Sequence, residues 1–161
     1  MHLAGELFKS MAVVEIAHIP YKGSAPAIVE LTSGQVQLSL IGVSPVLLSY
    51  IKGGRLRALA VTNLKRSALL PDLPTMNEAG LRGYESEGWH GLGAPARTPK
   101  TVMDRIYREV ELILNSPETK AYLLSNSAEP VCMPPDQFAA KLKDEIAKWE
   151  KVVKIANMKV D

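Results

Sequence analysis

The chain has one cysteine, Cys132, so no internal disulfide framework holds it together. Cysteine usage therefore says little about compartment. Histidine is also scarce. None of His2, His18 and His90 stands four residues from another, and none neighbours Cys132, which excludes a local zinc motif. Cys132 lies between Val131 and Met133 and reads as a packed thiol rather than a nucleophile. No apolar run of membrane length exists. Residues 31–51 carry no charge, but Ser33, Gly34, Gln35, Gln37, Gly42 and Pro45 interrupt them, short of the about 20 apolar residues that a span needs. The opening stretch lacks an apolar signal-peptide core, because Glu6 breaks it. Walker A and G-x-S-x-G motifs are missing. Gly91-Leu-Gly93-Ala94 begins like a dinucleotide loop, but Pro95 follows.

What is present is an ordinary globular composition: 161 residues, 47% hydrophobic and 22% charged. That length is usual for one domain and supplies enough apolar residues for a core. A net charge of +2 argues against a nucleic-acid partner. The charge is uneven, since no Asp or Glu occurs between Glu30 and Asp72. An acid-free basic stretch suits an anionic ligand. Alternatively, Arg55, Arg57, Lys65 and Arg66 form a solvated surface.

Apolar spacing predicts a helix over 2–11, a strand over 13–19 and a helix over about 25–33 capped by Ser24 and closed by Gly34. A strand over 36–41 follows, then a helix opened by Ser44-Pro45 and ended by Gly53-Gly54, then a strand over 56–62. Thr75 and Glu78 form a T-x-x-E capping box ahead of a short helix ending at Gly80. Residues 84–93 read as extended. Thr98-Pro99 opens a long helix with the stripe Val102, Ile106, Val110, Ile113 and Leu114, and Ser116-Pro117 opens another. A short strand over 129–133 precedes a final helix from Pro135, with Phe138, Leu142, Ile146, Trp149 and Val153 on one face. Alternating strands and helices predict an α/β fold with a mainly parallel sheet.

The best candidate site is the loop Tyr21, Lys22, Gly23, Ser24 and Ala25, between a strand end and a helix start. Free N–H groups and the Ser24 hydroxyl there make an anion cradle, and Gly23 allows close approach. Ile41, Gly42, Val43 and Ser44 repeat the arrangement, so two helix starts at neighbouring strand ends would share one carboxylate. The plain alternative is two ordinary βα turns. Trp89 is either an aromatic wall of the site or a core residue. An enzyme using Lys22 and Ser24 is disfavoured, because no base–orienter pair accompanies them.

Several motifs in order resemble one family. They are Ile19-Pro-Tyr-Lys-Gly23 with Pro26, Leu56-Arg-Ala-Leu-Ala-Val-Thr62, Pro71-Asp-Leu-Pro-Thr75 through Glu78-Ala-Gly80, and Trp89-His-Gly-Leu with Ala94-Pro95. Glu145-Ile-Ala-Lys-Trp149 with Val152-Val153-Lys154 continues the series. The chain resembles the solute-binding receptors of tripartite tricarboxylate transporters, the Bug family. The resemblance implies a periplasmic, non-enzymatic receptor without cofactor or metal. It also implies a type II periplasmic-binding-protein fold, whose two α/β lobes close over a small carboxylate for delivery to a membrane permease. The loops at 21–25 and 41–44 match ligand-holding positions of the family. The second loop has no acid, which favours a plain carboxylate over an amino acid.

The resemblance covers only the last half of a family member, implying a chain truncated at its N-terminus. Residues 1–86 would be most of the second lobe, and 87–161 the crossover strand and the C-terminal part of the first. Were the chain the full product, the lack of a signal peptide would keep it cytoplasmic. The competing expectation is a shortened module that binds no ligand and self-associates through exposed sheet edges.

Overall fold

The computed structural model describes residues 1–158. Among these residues six helices form, at α1 (His2–Ala12), α2 (Ser24–Ser33), α3 (Pro45–Lys52), α4 (Lys100–Asn115), α5 (Pro117–Ser125) and α6 (Pro135–Ile155). Their boundaries follow local chemistry. Gly34 closes α2 at φ 81°, a left-handed conformation that costs glycine little. Ser44 caps α3, its Oγ accepting from the Leu47 amide at 3.2 Å ahead of Pro45. Ser116 does the same for α5, accepting from the Thr119 amide at 3.2 Å.

Three expectations are corrected. Ser24 is not the cap of α2. Gly23 occupies that position at φ 103°, and Ser24 is the first helical residue with no capping bond from its side chain. The entry turn needs a backbone angle that only glycine adopts without strain, so the cap falls one residue earlier. The capping box at Thr75 forms reciprocally, with Glu78 N–H to Thr75 Oγ1 at 3.0 Å and Thr75 N–H to Glu78 Oε2 at 2.8 Å. It closes a run of turns over 76–80 rather than a helix.

The third correction concerns the sheet. The segments at 13–19, 36–41, 56–62, 84–93 and 129–133 carry no named strand among the described residues. The only bridge there is an isolated parallel pair, Val61 with Thr75. β-branched sequence favours an extended backbone locally, but a parallel ladder needs a neighbouring strand. Local pattern cannot supply that neighbour.

The described residues divide into two compact units: Met1–Gly88 with residues 148–158, and Trp89–Ala147. The first unit holds the apolar core: Ala4, Ile28, Leu47, Val61, Tyr84 and Val152. Tyr84 anchors it. The ring is fully buried, meets Phe8 edge-on at 6.3 Å, and donates its hydroxyl to the Ala4 carbonyl at 2.9 Å. Burial pushes that phenol up to about 12.

The second unit buries no apolar side chain among the described residues. The predicted stripe of α4 exists, but Val102, Ile106 and Ile113 on it are exposed. In this unit Trp89 meets Phe138 edge-on at 5.1 Å. A Cβ on Gly91 would lie 2.6 Å from the Phe138 ring, so that glycine makes room for an aromatic contact. Cys132 is a free, half-buried thiol.

Candidate anion-binding site

Two helix starts in the first unit carry the candidate residues. At α2, Tyr21 is half-buried, while Lys22, Gly23, Ser24 and Ala25 are exposed. The Gly23 amide turns back to the Tyr21 carbonyl at 2.9 Å, which tightens the loop. The amides of Ser24 and Ala25 have no hydrogen-bond partner among the described residues. Those first-turn donors are orphans by helix geometry, and the aligned peptide dipoles make their surroundings positive. A Cβ built on Gly23 meets nothing within 4 Å, so the approach to these donors is open.

At α3, Ile41, Val43 and Ser44 are half-buried and Gly42 is exposed. The Ser44 hydroxyl is engaged as the cap. The amides of Gly42, Val43 and Ser44 have no partner among the described residues. No hydrogen bond joins this loop to the one at 21–25 among those residues. Trp89 belongs to the second unit and is 38% exposed.

The structure sorts the basic residues. Arg66 is an ion-pair anchor: its Nε lies 3.0 Å from Glu78 Oε2, and its Nη1 donates to the Pro71 carbonyl at 3.4 Å. The Thr75 amide and then Arg66 hold the Glu78 carboxyl below its ordinary range. Arg55 stacks on the Tyr50 ring, 4.4 Å from its centroid. Lys22, Arg57 and Lys65 have no such partner among the described residues.

Sequence spacing missed one contact beside the site. His18, three residues before Tyr21, stacks on His2 of α1 with ring centroids 3.7 Å apart and 14° between planes. His2 Nε2 in turn lies 3.6 Å from Glu6. Loss of hydration and the His2 charge lower the His18 pKa from 6.5. The two histidines are 16 positions apart, so no local signal marked them. Among the described residues no group of three or more His, Cys, Asp or Glu is placed to hold a metal. No helix there is long and apolar enough to cross a membrane.

A family model described as the tripartite tricarboxylate transporter family receptor, TctC, matches residues 1–158. Protein BugT of Bordetella pertussis is 35% identical over 159 residues, 99% of this chain and 48% of BugT. A protein in the clcB-clcD intergenic region of Pseudomonas knackmussii is 30% identical over 154 residues, 95% of this chain and 90% of that protein. Among solved structures, R. palustris Rpa4515 with adipate is 40% identical with TM-score 0.78, over 97% of this chain and 52% of that one. The periplasmic binding protein BugD is 34% identical with TM-score 0.70, over 97% and 52%. MatC from Rhodopseudomonas palustris with bound malate is 25% identical with TM-score 0.67, over 94% and 52%. The chain thus spans about half the length of BugT and of these solved proteins. From motif order, helix starts and these matches together, the chain belongs to the tripartite tricarboxylate transporter receptor family.

Proposed function

We propose that the chain is the ligand-holding part of an extracytoplasmic receptor that captures a small organic carboxylate for a tripartite tricarboxylate-type transporter. The observation that carries this is the pair of loops at 21–25 and 41–44, where the amides of Ser24, Ala25, Gly42, Val43 and Ser44 have no partner among the described residues. A carboxylate is acceptor-only when ionised, so it satisfies such donors without needing an acid in the site. No Asp or Glu lies in either loop. The solved relatives hold adipate and malate, both plain carboxylates. BugD is a periplasmic protein, which supports the same compartment for this receptor.

In this reading the fold is the two-lobed, type II periplasmic-binding-protein arrangement. Residues 1–86 belong to the second lobe, and 87–161 supply the crossover and part of the first. Hinge closure follows binding, and membrane permease subunits receive the ligand. A thermal-shift screen over di- and tricarboxylates and aromatic acids tests the reading. A dicarboxylate raises the transition temperature, and both Lys22→Ala and Gly23→Glu weaken or abolish the rise. An unchanged rise in both variants rejects the site.

A second reading, a module that binds no acid and self-associates, draws on exposed Val13, Val14 and Ile19. Light scattering on the chain alone separates the two. A monomer that responds to dicarboxylates rejects the module.

A further inference from the structure

Two features of the first unit bear on the loop at 21–25 from outside it. One is α1, fixed in the core by buried Ala4, whose carbonyl accepts the Tyr84 hydroxyl at 2.9 Å. His2 stands on the same helix, two residues before Ala4. The other is the run from His18 to Gly23, which has few free torsions. Pro20 has a fixed φ and confines Ile19 before it. The Gly23 amide then turns back to the Tyr21 carbonyl at 2.9 Å. A displacement at residue 18 therefore reaches the Ser24 and Ala25 amides instead of being absorbed on the way. The two features meet in one contact. The His18 ring lies flat on that of His2, with centroids 3.7 Å apart and 14° between planes.

We infer that this stack is a positioning contact for the anion site: it ties the loop at 21–25 to α1 while the rings are neutral and releases it in acid. The charges facing His18 are His2, Glu6, Lys9 and the amino terminus, and of these only Glu6 is negative. Glu6 already holds Lys9 at 3.0 Å and stands 3.6 Å from His2 Nε2. One carboxylate is thus shared between two partners, and none is left for His18. A proton on each ring places two like charges at stacking distance, a repulsion that the neutral pair does not meet. The lowered proton affinity of His18 agrees with this, its causes being lost hydration first and the His2 charge second. Neither ring touches the ligand in this account, and both act through the loop. The inference rests on the carboxylate reading of the site and adds its regulation by pH.

The test measures adipate affinity by calorimetry between about pH 7.5 and 5.5. In the unaltered chain the affinity falls about fivefold or more as pH drops. His18→Phe keeps a flat ring on His2, and a ring face accepts a charged imidazole as well as a neutral one. This variant keeps the original affinity at neutral pH, and the slope that remains is that of the ligand's own carboxylates. His18→Ala removes the ring and weakens adipate several-fold at neutral pH, with the helical circular dichroism unchanged. A second arm needs no ligand. In NMR of the free chain, the Ser24 and Ala25 amides shift along the His18 titration curve, and in His18→Phe they hold still over that range. The inference is overturned by full affinity in His18→Ala or by an unchanged pH profile in His18→Phe. Affinity that rises in acid, the mark of His18 as a direct cationic ligand, also overturns it, as do Ser24 and Ala25 amides that ignore the His18 titration. An unaltered chain that binds no adipate at any pH counts against the proposed function, and the ligand-free arm then decides this inference by itself.

Discussion

At the scale of single residues, Gly23, Tyr84 and His18 govern how the site is held. Gly23 sits at φ 103° and ψ −179°, a region that side chains with a Cβ avoid. Because nothing crowds a Cβ there, Gly23→Ala isolates the backbone effect. The substitution costs about 1–3 kcal/mol in urea unfolding. Tyr84→Phe removes the bond to the Ala4 carbonyl while keeping the ring, and leaves a buried acceptor without its donor. It lowers stability by about 1–3 kcal/mol in the same measurement.

His18 makes stability depend on pH. Its folded pKa lies below 6.5, so between the two values the unfolded chain binds more protons. The neutral ring's contribution is full above pH 6.5 and is lost as pH falls through the folded value. The groups facing it are His2, Glu6, Lys9 and the amino terminus. The urea midpoint falls between about pH 7.5 and 5, and His18→Gln flattens part of that fall. A slope unchanged in the variant contradicts the assignment.

At the scale of elements, helix starts were legible wherever one side chain or one proline sets them. Ser44-Pro45 and Ser116-Pro117 read correctly because the capping hydroxyl, the amide and the proline lie within four residues of each other. Ser44→Ala lowers stability by about 1 kcal/mol, measured by thermal unfolding. Ser24→Ala has little effect on stability, since its hydroxyl makes no capping bond. The box at Thr75 was equally legible as chemistry but not as a helix. Its reciprocal bonds close a turn whose continuation stops at Gly80, at φ 112°. Pro95 already discounted Gly91 as the start of a dinucleotide loop, and the Phe138 ring supplies the reason for a glycine there. Tyr84 gave no signal of its role, because its partner, Ala4, lies 80 positions away.

At the scale of the whole molecule, the sequence carries the order of extended and helical segments but not the pairing. The residues of 13–19 and 36–41 read as parallel strands, and the structure gives them no ladder, leaving 13–19 exposed and 36–41 partly so. Their partners are nonlocal, and no composition or period within this chain specifies them. The same holds for α4, whose stripe is evident in the periodicity while its covering surface is not. The candidate loops were legible because glycine, serine and proline at a helix start are local signs. Whether one ligand spans both loops is a nonlocal matter that only binding resolves.

The central claim is that one carboxylate engages the amides at both helix starts. Amide-resolved NMR of the chain titrated with adipate addresses it directly. The account predicts concerted, saturable shifts at Gly23, Ser24, Ala25, Gly42, Val43 and Ser44, following a single binding curve. Shifts confined to one loop, or a saturable response centred elsewhere with these six amides unmoved, contradict it.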